Sequence, residues 1–326
     1  MLHRYAILVA TATAVLIFAG GLVTSTGSGL SVPDWPNTYG WFMFSFPLDK
    51  MVGGIRFEHT HRLIASTVGF LILVQAVWLR LAEPRAWVRR LGYVALAAVV
   101  AQGVLGGITV LWFLPTPVSV AHASLAQIVF CLTVSIALVT SRGWADAYGT
   151  SAPASNDAIM RRLAGGLVAL VYTQIVVGAV MRHTGAGLAI PDFPLAFGAL
   201  LPPQWDAGIA VHFAHRVGAL LVSLTALALG GHVLAHHRAR RELRRPAVLL
   251  LVLVAAQVTL GAYTVLSGKH YIINSLHVVT GATVLVTSVV IALRVFRGTF
   301  PEAAGLDAAG AGRTDAAYAP GAGARA

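Results

Sequence analysis

The sequence predicts an all-α polytopic membrane protein, with eight transmembrane helices arranged as two parallel-repeat four-helix bundles and both termini cytoplasmic. Three observations predict it. The 326-residue chain is 57% hydrophobic and only 11% charged, unlike a soluble globular domain. Apolar stretches of about 20 residues, long enough to cross ~30 Å of hydrocarbon, occur near 5–24, 60–80, 91–112, 119–140, 161–181, 210–234, 247–266 and 272–293. The third observation is that residues 176–278 repeat residues 18–123.

Segment one follows Arg4 and has the look of a secretory signal. Its repeat counterpart, segment five, lies inside the chain, so segment one is read as a retained span. No Arg- and Ser-rich transit sequence is expected ahead of it, which points to a bacterial plasma (inner) membrane. After segment one comes Gly27-Ser28-Gly29-Leu30-Ser31-Val32-Pro33-Asp34-Trp35-Pro36, which recurs as Gly185-Ala186-Gly187-Leu188-Ala189-Ile190-Pro191-Asp192-Phe193-Pro194. The glycines permit tight turns and the prolines stop the helix. Two readings stay open: a cap with Trp35 and Phe193 in the interface belt, or a lid over a ligand pocket. No strand precedes the Gly-x-Gly, so it is no nucleotide fingerprint.

Segment two opens with Glu58-His59-Thr60-His61-Arg62, matched by His212-Phe213-Ala214-His215-Arg216 at segment six. Segment three carries Gln102-Gly103-Val104-Leu105-Gly106, matched by Gln257-Val258-Thr259-Leu260-Gly261 in segment seven. His122 near the start of segment four matches His277 near the start of segment eight. The linker 142–160 is polar, and the tail 298–326 is Ala- and Gly-rich without periodicity and reads as disordered. The domains are therefore 1–141, the linker, 161–297 and the tail.

The net charge of +11 suggests nucleic acid until its placement is read. Arg80, Arg85, Arg89, Arg90, Arg142, Arg161, Arg162, the run Arg238 to Arg245, Arg294 and Arg297 all fall on one set of alternate loops. By the positive-inside rule these loops are cytoplasmic, and loops 25–57 and 183–208 face outward. The charge sets orientation and meets anionic membrane lipid, not nucleic acid. Cys131 is the sole cysteine, so no intramolecular disulfide or thiolate metal site forms.

Even-numbered segments run inward, which places all four repeat-matched histidines within a turn or two of the outer boundary. Ionisable groups at that depth usually face a bundle interior and have a function. Zinc would want carboxylates or thiolates at closer spacing. Two His on different helices, with Gly103, Gly106, Gly107 and Gly261 giving room, suit axial ligation of a haem iron. Both pairs near one face argue against an electron relay across the membrane. His3, His183, His232, His236, His237 and His270 read as solvated or headgroup-facing.

The halves differ where Glu58 stands opposite His212. A carboxylate beside one iron ligand can exchange protons during chemistry; pairing with Arg62 or Arg56 is the plainer alternative. Arg62 and Arg216 suit haem propionates, or a protein acid.

Eight spans in two halves, the Glu-x-x-His-Arg and His-x-x-His-Arg boxes, and single His122 and His277 resemble the haem A synthase family over about residues 5–295. The resemblance implies oxidation of the C8 methyl of haem O to the formyl group of haem A, for terminal oxidases. It implies that His61 and His122 lie at the substrate haem, that His215 and His277 ligate haem b, and that Glu58 is the catalytic acid. The partners it implies are a haem O synthase that donates substrate and the assembly factors of the terminal oxidase. Some members carry a Cys pair in each outer loop; this chain has none there, so its electron donor stays unassigned, as does any homo-oligomer. A non-catalytic di-haem b cytochrome and a haem transporter are the competing readings; Glu58 at one site alone favours catalysis.

Overall fold

A computed structural model of the chain describes residues 1–146 and 157–299. Eight long helices dominate it: α1 (Leu2–Ser25), α2 (Gly53–Ala82), α3 (Ala86–Leu111) and α4 (Thr116–Val139), then, after a short α5 (Arg142–Asp146), α6 (Ala158–His183), α7 (Ala207–His236), α8 (Arg241–Leu266) and α9 (Tyr271–Val295). Each of the eight is long and apolar enough to cross a membrane, and the described residues form no strand. The centre of the expected linker and the expected disordered tail from Phe300 lie outside the described residues.

Local chemistry sets the ends. The Asp157 carboxylate accepts the Met160 N–H (2.9 Å) and that of Asp206 accepts the Ile209 N–H (2.8 Å), capping α6 and α7. Pro117 sits in the first turn of α4, where its missing N–H costs nothing. The α3–α4 and α8–α9 connections are tight, and both turn on left-handed residues at matched positions: Phe113 and Leu114 in one, Gly268 and Lys269 in the other. Helices α2 and α7 begin earlier than hydropathy placed them, at Gly53 and Ala207. Polar residues such as Arg56 and Glu58 lower the local hydropathy, yet helix continues because loop groups satisfy the inward-facing ones.

Within the first half α1 packs on α2 and α4, and α3 on α2 and α4; α6 to α9 show the same four contacts. Each half has its own apolar core, one around Val68, Ile72 and Leu79 and one around Leu229, Leu250 and Leu285. The halves meet where α1 and α4 contact α9 and α4 contacts α6. Ile17, Phe130, Ala282 and Val286 form a third cluster at that seam.

The α1–α2 and α6–α7 loops fold alike. Tyr39-Gly40 and Phe197-Gly198 have positive φ at both central turn positions, the geometry of a tight hairpin turn. Thr38–Trp41 and Ala196–Ala199 close those turns. The Asp34 carboxylate accepts the N–H groups of Tyr39 (2.7 Å) and Gly40 (2.8 Å), and Asp192 does the same for Phe197 and Gly198 (both 2.8 Å). Burial alone would push the Asp34 carboxyl up; the Gly40 and Tyr39 N–H groups outweigh it and hold it below its ordinary value. At Asp192 the Gly198 and Phe197 N–H groups do this almost unopposed.

Candidate functional site

The four expected histidines occupy equivalent positions. His61 and His215 are each the ninth residue of their helices, and His122 and His277 each the seventh. That is roughly 12 and 9 Å along the axis from the helix start.

Each imidazole lies against a glycine of a neighbouring helix. A Cβ on Gly20 of α1 would meet His61 Cε1 at 3.1 Å, and one on Gly178 of α6 would meet His215 Cε1 at 2.8 Å. Gly106 of α3 and Gly261 of α8 face His122 and His277 in the same way, each at 3.1 Å. Gly106 and Gly261 thus make the room expected of them; Gly20 and Gly178 were not anticipated, although they too occupy matched positions. Gly107 does something else: its missing Cβ makes way for the Trp35 ring, at 2.6 Å. Gly103 has no side chain near it. Trp35 is therefore packed against α3 one residue from the glycine that faces His122, so the α1–α2 loop leans over the first pocket.

The residues fit an iron porphyrin. Nδ1 of His61, His122 and His277 is buried without a protein partner, which in a native site calls for explanation by an ion or water. The His215 and His277 ring centres are 6.5 Å apart; imidazoles bonding one metal from opposite sides at about 2.0 Å have centres about 6 Å apart. His61 and His122 are near enough for their charges to interact. Three glutamines attend these histidines. Gln102 donates to the His122 carbonyl (2.9 Å), Gln174 to the His215 carbonyl (2.7 Å) and Nδ1 (3.1 Å), and Gln257 to His277 Nε2 (3.3 Å).

Glu58 is buried and engaged. Its Oε1 pairs with Arg62 Nη2 (2.7 Å) and its Oε2 accepts the Val32 N–H (2.9 Å). His212 Nδ1 likewise accepts the N–H of Ile190 (3.2 Å), the residue matching Val32. The two different side chains thus hold the same point of their loops. The arginines hold the loops too. Arg62 donates from Nη1 to the carbonyls of Asp34 (2.6 Å) and Asn37 (2.9 Å) and from Nη2 to that of Val32 (2.8 Å). Arg216 reaches the carbonyls of Leu195 (2.8 Å), Ile190 (3.2 Å) and Asp192 (2.6 Å). Both terminal nitrogens of each reach acceptors of the protein.

One expectation needs correcting. His232 and His237, read as solvated, both reach Asp157 Oδ2 through Nε2, at 2.6 and 2.9 Å. They fasten the end of α7 to the start of α6. The carboxylate that draws them is remote in sequence, so spacing gave no sign of it.

The pairing of the sites with their loops suits comparison with known proteins. The family model described as cytochrome oxidase assembly protein matches residues 43–290, which include Glu58 and all four histidines. The haem A synthase of Symbiobacterium thermophilum is 30% identical over 272 residues, 81% of this chain and 87% of that protein. The chain belongs to the haem A synthase family of cytochrome oxidase assembly proteins. The haem A synthases of Shouchella clausii, 30% identical over 82% of this chain, and Geobacillus kaustophilus, 29% identical over 82%, are similarly close. Membership makes the chain an enzyme of haem metabolism tied to oxidase assembly.

Proposed function

We propose that the protein oxidises the C8 methyl of haem O to the formyl group of haem A, with substrate held at His61 and His122 and a haem b at His215 and His277. The observation that carries this reading is the fourfold His–Gly contact, which sets two pairs of histidines at matched positions on one scaffold. Bound iron porphyrin supplies one-electron chemistry in the second half. Two successive two-electron oxidations of the substrate methyl, each drawing on an external oxidant and adding one oxygen atom, would give a geminal diol whose loss of water leaves the aldehyde.

The chain's own residues bind, orient and exchange protons. Glu58 stands one turn outward of His61 on the same face, and we assign it the proton exchange at the first site. Arg62 orients that carboxylate and, with Val32, ties it to the loop. Arg62 and Arg216 act on haem through the loops they hold. Trp35, in its niche at Gly107, helps the first loop to cover the pocket.

Charge placement supports cytoplasmic termini and haem sites toward the outer face of a bacterial inner membrane. In that setting a haem O synthase supplies substrate and oxidase assembly factors take product. Extraction and chromatography of the haems bound to the purified protein tests the reading. Haem O, haem A or a hydroxylated intermediate beside haem b is expected; haem b alone would refute it and leave a di-haem b cytochrome.

A further inference from the structure

Among the described residues Arg182 is a cation without a carboxylate partner. It lies in the last turn of α6, partly buried. Its Nη2 donates to the Gly21 carbonyl (2.9 Å) and to Ser25 Oγ (2.8 Å) at the end of α1. Ser25 Oγ also accepts from Ser275 Oγ (3.1 Å), two residues before His277. The carbonyl end of α1 offsets part of the charge. A guanidinium carries five N–H donors, however, and both recorded bonds leave from one nitrogen toward neutral groups.

Its place relative to the second pocket is what matters. Arg182 follows Gly178 by four residues, so both lie on one face of α6, with Arg182 about 6 Å further out. Gly178 is the residue against the His215 ring. Arg182 is also close enough to His277 for their charges to interact. Arg182 thus lies one turn beyond the residue that faces His215, with its guanidinium at the end of α1 and within reach of the His277 charge. In the first half the matching residue, four after Gly20, is Thr24, whose hydroxyl is spent on the Gly20 carbonyl (3.1 Å). At this repeat position the second half has a cation and the first half has none.

We propose that Arg182 is a carboxylate-binding residue of the second pocket and takes a propionate of the porphyrin held by His215 and His277. This rests on the reading that the pair holds a haem. A charged pair at a partly desolvated site is stronger than a neutral hydrogen bond, and it would fix which edge of the porphyrin points outward. It would also mark the second pocket for retention and the first, with Thr24, for exchange.

The test uses the full chain, freed of haem in detergent and titrated with iron protoporphyrin IX or with its dimethyl ester, in wild type, Arg182→Leu and Arg182→Lys. In wild type, esterification should weaken binding at the second site by about tenfold; in Arg182→Leu it should change nothing, and Arg182→Lys should recover part of the difference. Arg182→Leu should also lower the midpoint potential of that haem, because a positive charge near the iron favours the reduced state. Equal cost of esterification in wild type and Arg182→Leu would overturn the proposal and leave Arg182 a fastener of α1 to α6. His215→Ala provides the separate check: if it binds the porphyrin as wild type does, the underlying ligand assignment fails instead.

Discussion

Glu58→His is the most discriminating substitution, because the protein already contains its outcome. At the matching position His212 accepts the Ile190 N–H at 3.2 Å and leaves Arg216 to the loop carbonyls. Glu58→His should likewise accept the Val32 N–H and leave Arg62 with its three carbonyl contacts. What is lost is one charged pair of 2.7 Å between buried side chains. Breaking a buried pair costs about 3–5 kcal/mol when nothing replaces the partner. Here the loop hydrogen bond is replaced and the cation keeps its carbonyls, so the cost should fall to about 1–3 kcal/mol, nearer that of one lost hydrogen bond to a charged group. Glu58→Ala replaces nothing and should suffer the full penalty. The assay has two readouts: the absorption spectrum of bound haem, and conversion of haem O to haem A in membranes. With Glu58 as proton-exchanging group, Glu58→His keeps the spectrum and loses about 10²–10⁴ in turnover. Because imidazole can itself exchange protons, Glu58→Gln is assayed beside it; turnover within a few-fold of wild type in both variants would refute the catalytic assignment and leave Glu58 a loop anchor like His212.

Gly178→Val should empty the second pocket and spare the first, because even the first added carbon lies 2.8 Å from the His215 ring; haem content per chain reads this out. Gly69→Ala, where nothing lies within 4 Å, should keep both haems and gain up to about 1 kcal/mol of helix stability, seen as a higher Tm in detergent. Asp34 has its carboxyl held below the ordinary value, so its support of the Tyr39–Gly40 turn is present above the unfolded value, about 3.9, and lost as pH falls through the lower folded value. Amide exchange of the segment around residues 34–41 should therefore be slow at pH 5, rise only in stronger acid, and be fast at neutral pH in Asp34→Ala; unchanged exchange in that variant would count against the assignment. Asp157→Ala removes a helix cap and the common partner of His232 and His237, and should lower thermal stability by about 1–2 kcal/mol with haem content unchanged.

The helices were legible because membrane burial writes itself into composition: long apolar runs, basic loops and a duplicated order of elements. The four histidines were legible because they recur in register. Hydropathy misjudged the starts of α2 and α7, since it counts Arg56 and Glu58 as polar without knowing that a loop folds back to meet Glu58. The Arg62–Glu58 pair was among the readings the sequence left open; the hold of Arg62 and Arg216 on the loops was not, because their other acceptors are loop carbonyls and no side-chain pattern reports a carbonyl's direction. Gly20 and Gly178 could have been found, as small residues at matched positions opposite each histidine. The Asp157 link to His232 and His237 could not, because 75 and 80 residues separate the partners.

The exchange of Glu58 for His212 alone is weak evidence of divided labour, since both side chains anchor the same loop N–H. The case strengthens when the other mismatched positions are placed around the pockets. Leu16 stands in the first half where Gln174 attends His215, and Ile64 where Gly218 leaves space for the Gln174 amide. Thr24 stands where Arg182 overlooks the second pair, and Gly107 admits Trp35 where the second half has Ala262 and Phe193. These differences are not scattered. Around the second pair they add polar groups that grip a ring or a carboxylate, which suits a resident group. Around the first they remove such grips, add a carboxylate beside His61 and lay an aromatic loop residue nearby, which suits a molecule that must arrive, react and leave. A scaffold that needed two equivalent haems would have no reason to break its repeat in this pattern.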